Sequence, residues 1–296
     1  DTLGNSSTGF QDLATLTISA EAPPVGPVSA PVPSVTGLAK VGNKLTAIPG
    51  NWSPAPVALK FQWFRAGVPV PGARAASYPV TVSDLGKKIT VQVTGLKTGY
   101  TPVSKTSAPT ATVAAGTLTS TQAPKIAGTP KVGGVLTATP GTWSQSPVSI
   151  KYQWYRSGVA IPGATLSSYK LTAASLGKKL TVRVTGSKAG YTTLSKTSAP
   201  LTVTAGTLTT TPVPRISGTP KVGRVLTATP GVWSPSPVSL TYQWYRSGVA
   251  ITGATAFQYK LNARDLAKKI TVRVTGSKSG YTAVSKVSMP SRAVTG

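Results

Sequence analysis

Apolar and polar residues alternate along this chain in short runs, each closing at a cluster of Gly, Pro or Ser. A period of two belongs to half-buried strands, and nothing here offers a helix of ordinary length. The stretch from residue 125 to 203 shows the pattern. Lys125-Ile-Ala-Gly-Thr-Pro predicts an edge strand, and Val135-Leu-Thr-Ala-Thr a second strand running into the turn signal Pro140-Gly141. Ser149-Ile-Lys-Tyr-Gln-Trp-Tyr-Arg carries β-branched and aromatic residues at period two and closes at Ser157-Gly158. After a turn at Ile161-Pro-Gly-Ala come a short strand around Tyr169-Lys-Leu-Thr, one helical turn at Ala173-Ala-Ser-Leu-Gly, and a strand at Lys179-Leu-Thr-Val-Arg-Val-Thr. Gly190-Tyr191 then turns into a last strand from Leu194 to Val203. Seven short strands with turn signals every about 8–12 residues predict a sandwich of two antiparallel sheets, so the fold class is all-β.

The same pattern is written three times. Phe61-Gln-Trp-Phe-Arg-Ala-Gly-Val, Tyr152-Gln-Trp-Tyr-Arg-Ser-Gly-Val and Tyr242-Gln-Trp-Tyr-Arg-Ser-Gly-Val align, and their tryptophans, Trp63, Trp154 and Trp244, lie 91 and 90 residues apart. Trp52, Trp143 and Trp233 keep that spacing within Pro-Gly-x-Trp-Ser. So do Gly86-Lys-Lys-Ile-Thr-Val, Gly177-Lys-Lys-Leu-Thr-Val and Ala267-Lys-Lys-Ile-Thr-Val. Collinear matches over the whole unit mean three copies of one domain. The boundaries expected are residues 28–115, 116–205 and 206–296. Residues 1–27 are read as the end of an upstream domain plus a linker: the last strand or two within 1–20, with an alternating run at 13–20, then the Pro-rich Ala22-Pro-Pro-Val-Gly-Pro-Val, a disordered N-terminal tail being the alternative.

The Tyr-Gln-Trp-Tyr-Arg-x-Gly element resembles the third strand of immunoglobulin domains, where a core Trp is followed by an outward aromatic and a turn. The segment Val80-Thr-Val-Ser-Asp-Leu-Gly-Lys-Lys-Ile-Thr-Val-Gln-Val is similar to their fifth-to-sixth strand corner. The complete pattern, from about residue 28 to 296, resembles the tandem immunoglobulin-like repeats of secreted and surface proteins of bacteria, of the actinobacterial type. The resemblance implies three such modules in an extended array and a role as spacer, adhesive module or accessory. The inter-sheet disulfide of antibody domains is absent, because the chain has no cysteine. Aliphatic residues such as Leu136 and Val182 are expected in its place, while Gln62, Gln153 and Gln243, adjacent to the core Trp, are expected to face outward. Strands of roughly 8–10 residues and the short linkers Ala114-Ala-Gly-Thr-Leu and Thr204-Ala-Gly-Thr-Leu predict a span on the order of 100 Å.

Charge adds a direction. All 31 basic residues fall within the repeats, against only Asp84 and Asp265, a formal +29, while residues 1–27 hold three acids and no base. Such a field attracts polyanions and opposes self-association. No stretch is apolar enough for a membrane span, and no signal peptide opens the chain, so any export signal of an extracellular, secreted or cell-surface protein would lie upstream.

Catalysis finds no material. Without His or Cys there is no Ser–His or Cys–His nucleophile, and no repeat holds the paired carboxylates of a glycosidase. No metal site and no cofactor is expected on the same grounds. An isopeptide bond needs a buried acid beside a Lys–Asn pair, and Ser175 stands in the second repeat where the others have Asp84 and Asp265.

The candidate ligand-binding residues are Trp52, Trp143 and Trp233, with Tyr100, Tyr191 and Tyr281 and the neighbouring Lys97, Lys188 and Lys278. The two connections that carry them meet at one end of an immunoglobulin-like sandwich, where they would form either a glycan-binding tip or a packed joint with the incoming linker. Lys87-Lys88, Lys178-Lys179 and Lys268-Lys269 recur on the surface, as do Lys105, Lys196 and Lys286 on the last strand, where lysine also blunts a sheet edge. The expected function is therefore non-catalytic: a spacer and weak adhesive module of a larger secreted or cell-surface protein. Its partners would be an anionic cell-wall polymer or polysaccharide and the upstream domain. Nucleic acid is the weaker option, because exposed aromatics interleaved with the basic residues are not evident. The alternatives are a carbohydrate-binding accessory region of a secreted hydrolase and a structural decoration of a phage or surface filament.

Overall fold

The protein is described by a computed structural model over residues 26–120 and 122–296, so the strand expected at 13–20 and most of the linker lie outside the described residues. In the first repeat, β1 (Ser34–Thr36), β2 (Lys44–Ile48) and β5 (Ser77–Pro79) form one antiparallel sheet in the order β1-β2-β5. The second sheet runs β4-β3-β6-β7, from β3 (Ala58–Arg65), β4 (Val68–Pro69), β6 (Ile89–Leu96) and β7 (Val103–Thr106). The second and third repeats give the same two sheets in the same order. These are tandem immunoglobulin-like β-sandwich modules. By contacts the chain divides into one compact unit of residues 1–116 with 189–191, holding the first module, and another of residues 117–188 with 192–296, holding the other two.

The core follows from the pleat. Along β6, Ile89, Val91 and Val93 point inward and are fully buried, and they meet Leu45 and Ala47 of β2 across the sandwich. Between the sheets lies Trp63, 0% exposed, stacked on Tyr78 of β5 at 5.4 Å between ring centroids. Trp154 on Tyr169 and Trp244 on Tyr259 repeat the stack at 5.7 Å each. Each indole N–H donates to a backbone carbonyl at 2.9 Å, of Ala75, Leu166 and Ala256 in turn, so the large apolar ring is buried without leaving an unpaired donor. Leu136 and Val182 are fully buried beside Trp154, where the cysteine-free sequence requires aliphatic fill.

Three details differ from the sequence reading. Gln62, Gln153 and Gln243 do not project freely. Each Nε2 donates to the carbonyl of the adjacent Trp and, at 2.8 Å, to Val70, Ile161 or Ile251 across the following hairpin. That hairpin has a two-residue return strand, Val68–Pro69, Val159–Ala160 or Val249–Ala250, too short to show as an alternation. The last strand of the second module is also broken, into Leu194–Thr197 and Leu201–Thr202. At the break the buried Ser198 takes over the ladder: its N–H donates to Val182 O and its Oγ accepts from Val182 N, both at 3.0 Å. Pro200, lacking an N–H, cannot continue the ladder there. Ser107 and Ser288 do the same in the sister modules.

Because the central indole fills the sandwich and has no disulfide behind it, Trp154→Ala should cost the second module ~3–5 kcal/mol, a large share of the ~5–15 kcal/mol of a domain. Trp143→Ala, at a half-buried ring, should cost less. Module-resolved hydrogen exchange on the full chain checks the order; equal losses would place the keystone elsewhere.

Candidate functional site

The fourth inward position of the sixth strand is a glycine in every copy: Gly95, Gly186 and Gly276. The rings of Trp52, Trp143 and Trp233 lie on these glycines, and a Cβ there would run into the indole. Trp52 and Trp233 are 8% and 5% exposed, and each indole N–H, including that of the half-buried Trp143, donates at 3.1 Å to the proline carbonyl three residues earlier. The tryptophans singled out from sequence thus pack onto these glycines at the end of the sandwich. The signal for this arrangement was present in the alternating Thr-Val-x-Val-Thr-Gly run, where the chain gives up a side chain at an inward position.

The neighbouring lysines bond to the Pro-rich loops. Lys97 Nζ donates to Pro56 O at 3.1 Å and lies 5.9 Å from the ring centre of Tyr100. Lys278 Nζ donates to Pro237 O at 2.9 Å and lies 5.8 Å from that of Tyr281, and Lys188 Nζ donates to Gln145 O at 2.5 Å. These lysines are half-buried and clamp the Pro-rich loop onto the Lys-Tyr loop.

Tyr281 does more. Within the second unit, Tyr281–Thr282 pairs in parallel with Gly206–Thr207, and Gly206 N donates to Gly280 O at 2.9 Å. The ring of Tyr281 covers Gly206, its hydroxyl covers Gly133, and Val132 packs against Gly280. Gly133 has φ +89°, and a side chain there would meet that hydroxyl. Within the first unit, Tyr191 lies in the same way over Gly42 and Gly116.

At the opposite end of the third strand lies a cluster that sequence reasoning weighed only as an isopeptide candidate. Asp84 is fully buried at the 3-10 turn Val82–Asp84. It accepts from Arg65 Nε at 2.6 Å, Tyr78 OH at 2.8 Å, Thr81 N at 2.7 Å and Thr81 Oγ1 at 3.0 Å. Its burial opposes ionisation, but the Thr81 amide, the Arg65 guanidinium and the two hydroxyls prevail and hold the carboxyl below its usual range. Asp84 conversely raises Arg65, and burial with the Asp84 bond raises Tyr78. Asp265 accepts hydrogen bonds from the matching groups, Arg246 Nε at 2.6 Å, Tyr259 OH at 2.9 Å and Asn262 N at 2.8 Å. With an arginine where an isopeptide needs lysine, this is a structural ion pair. Among the described residues no group of three or more His, Cys, Asp or Glu comes together, and no helix is long and apolar enough to cross a membrane.

No protein-family model and no curated protein sequence matches the chain. Among solved structures it is similar to Sidekick-1 immunoglobulin domains 1-5, at 16% identity over 88% of this chain and 59% of that one, with a TM-score of 0.32. It is also similar to a Ca2+-stabilized adhesin with which an Antarctic bacterium binds ice, at 15% identity over 91% of this chain and 75% of that one, TM-score 0.35. A third is the three N-terminal domains of the bacteriophage RB49 highly immunogenic outer capsid protein, at 17% identity over 89% and 99%, TM-score 0.27.

Two outcomes are expected. Tyr281→Ala should speed exchange of the Gly206 amide by about tenfold or more while leaving Val272 protected, because it removes the cover of one junction and packs at the edge of the clusters around Val132 and Trp233, not in the one that holds Val272. Loss of protection throughout the third module would instead make Tyr281 a core residue. As for pH, a folded pKa held below the unfolded one stabilises above the unfolded value and is lost as pH falls through the folded value. The first module should therefore lose stability as pH falls below about 4, while the second, with Ser175, lacks that acid-labile increment. Protection factors of Val91 and Val182 amides across that range measure the difference.

Proposed function

We propose that the chain is a non-catalytic spacer and weakly adhesive array belonging to a larger secreted or surface-displayed bacterial protein of the actinobacterial-repeat type, and that it contacts anionic envelope polymer such as teichoic acid. The observation that supports this reading most is where the positive charge lies. Lys87, Lys88, Lys178, Lys179, Lys268 and Lys269 are all exposed, as are the edge-strand Lys105 and Lys196, and the repeat region holds two acids in all, both buried in internal ion-pair clusters. The outward-facing charge of every module is thus of one sign. The same feature recurs in each copy, so weak contacts add by multivalency. An electrostatic mode fits better than sugar stacking, because the aromatic rings at the loop end are spent on packing and junctions.

The test is a pull-down on Gram-positive cell walls with and without teichoic acid, at rising salt. Exposed Lys–phosphate contacts weaken as the screening length shrinks from ~10 Å at 0.1 M to ~3 Å at 1 M salt. Binding should fall steeply across that range, drop when teichoic acid is stripped, and grow with module number. Salt-insensitive binding lost on Trp143→Ala would instead favour a carbohydrate-binding accessory region.

A further inference from the structure

The second module carries the donors of the buried cluster but not its acceptor. Where its sisters place Asp84 and Asp265, it has Ser175, which is 0% exposed and whose Oγ has no hydrogen-bond partner. The surrounding frame is intact. Arg156 closes the third strand as Arg65 and Arg246 do, and Tyr169 stacks on Trp154 as Tyr78 stacks on Trp63. The 3-10 turn Ala173–Ser175 keeps the sister geometry: Thr172 has φ −104° and ψ 168° against −106° and 174° for Thr81, and Leu176 has −55° and 129° against −53° and 128° for Leu85. In the sisters one carboxylate receives the guanidinium, the tyrosine hydroxyl and this turn's first amide together. In the second module Arg156, Tyr169 and Thr172 occupy the matching strand, stack and turn positions, and the residue opposite them is a neutral serine that brings no counter-charge.

We propose that this point in the second module is a binding site for a small monovalent anion of halide size, held by the Arg156 guanidinium, the Tyr169 hydroxyl and the Thr172 amide, with the Ser175 hydroxyl donating to it. Size follows from covalent geometry. Serine places one oxygen on its Cβ where aspartate places a carbon bearing two, so the space released is that of the carboxylate oxygens alone, too small for sulfate or a polymer phosphate. Charge follows from the donor set, which in both sisters closes on an ionised oxygen pair. Access follows from position: Arg156 is half-buried, and the matching residues of the first module, Arg65, Tyr78 and Thr81, line an open surface depression. The chain's net charge of +26 raises the local concentration of any such anion. A serine hydroxyl buried without a partner carries a desolvation cost that a bound anion removes.

Bromide serves as the probe, with the full chain and its Ser175→Asp variant. Crystals grown in sodium bromide should show an anomalous peak within hydrogen-bond reach of Arg156, Tyr169 and Thr172, none at the Asp84 and Asp265 clusters, and none at this point in Ser175→Asp, whose own carboxylate fills it. In solution, exchange of the Thr172 amide should slow by about tenfold in saturating bromide relative to sulfate of equal ionic strength. Ser175→Asp should show that protection without bromide. A water with no anomalous signal at the site, a peak that persists in Ser175→Asp, or equal protection by sulfate would each overturn the proposal. The aspartate variant restores what both sisters contain, so it folds if they do, and Trp154 fluorescence confirms that it has.

Discussion

A sandwich of about 90 residues has to be closed between its sheets, and with no cysteine the closure falls to one stacked pair per module, Trp63 on Tyr78 and its two repeats. Much of the surrounding structure is arranged to keep that indole buried and satisfied. The carbonyl of Ala75, Leu166 or Ala256 takes the indole N–H. The glutamine before it anchors the next hairpin to the same strand. The tyrosine beneath it carries its hydroxyl into the ion-pair cluster of Asp84 or Asp265, so the apolar keystone and the buried charge share one residue. An aromatic with a polar tip can serve both, which neither phenylalanine nor leucine could do.

That coupling makes the second module informative. Ser175 removes the carboxylate, yet the stack, the turn and the arginine keep their places. Among the described residues, none hydrogen-bonds to Ser175 Oγ. The contact of Arg183 with the Tyr155 ring, at 5.2 Å, has its equal in Arg273 over Tyr245 at 5.3 Å, in a module that retains its aspartate. The frame is therefore set by packing, and the ion pair is added to it, in keeping with the small net gain expected of buried ion pairs against apolar packing. A frame that survives loss of its own carboxylate is the physical condition for accepting one ion from outside.

The repeats, the all-β class and the central tryptophan were legible because they rest on period-two patterning and on the spacing of large residues. Ser149–Arg156 could be bounded to the residue from its alternation. The two-residue return strand after it could not, since two residues carry no period, and the interruption at Ser198 hid inside a stretch whose neighbours still alternate. The role of Trp52, Trp143 and Trp233 was visible only in part. Their position at a loop end follows from the strand order, but whether an aromatic there is open or plugged depends on what stands opposite. The answer lay in Gly95, Gly186 and Gly276, where sequence shows a missing side chain and only the fold shows what fills the gap.

The same kind of packing engages the loop end within the second unit. Gly133 and Gly206 leave a notch that receives Tyr281, and the half-buried Lys278 points its ammonium at Pro237 O. The tyrosine is engaged in covering two glycines, and an ammonium already bonded to a carbonyl gives up one contact to make another. The lysines with nothing to give up are those on the sixth strand's approach and on the sheet edge, such as Lys178, Lys179 and Lys196. The exposed charge is thus spread along the module flanks on long side chains. Exposed charges of this kind interact with a partner mainly through charge and only weakly per contact, which is why the proposed mode of contact depends on many of them together.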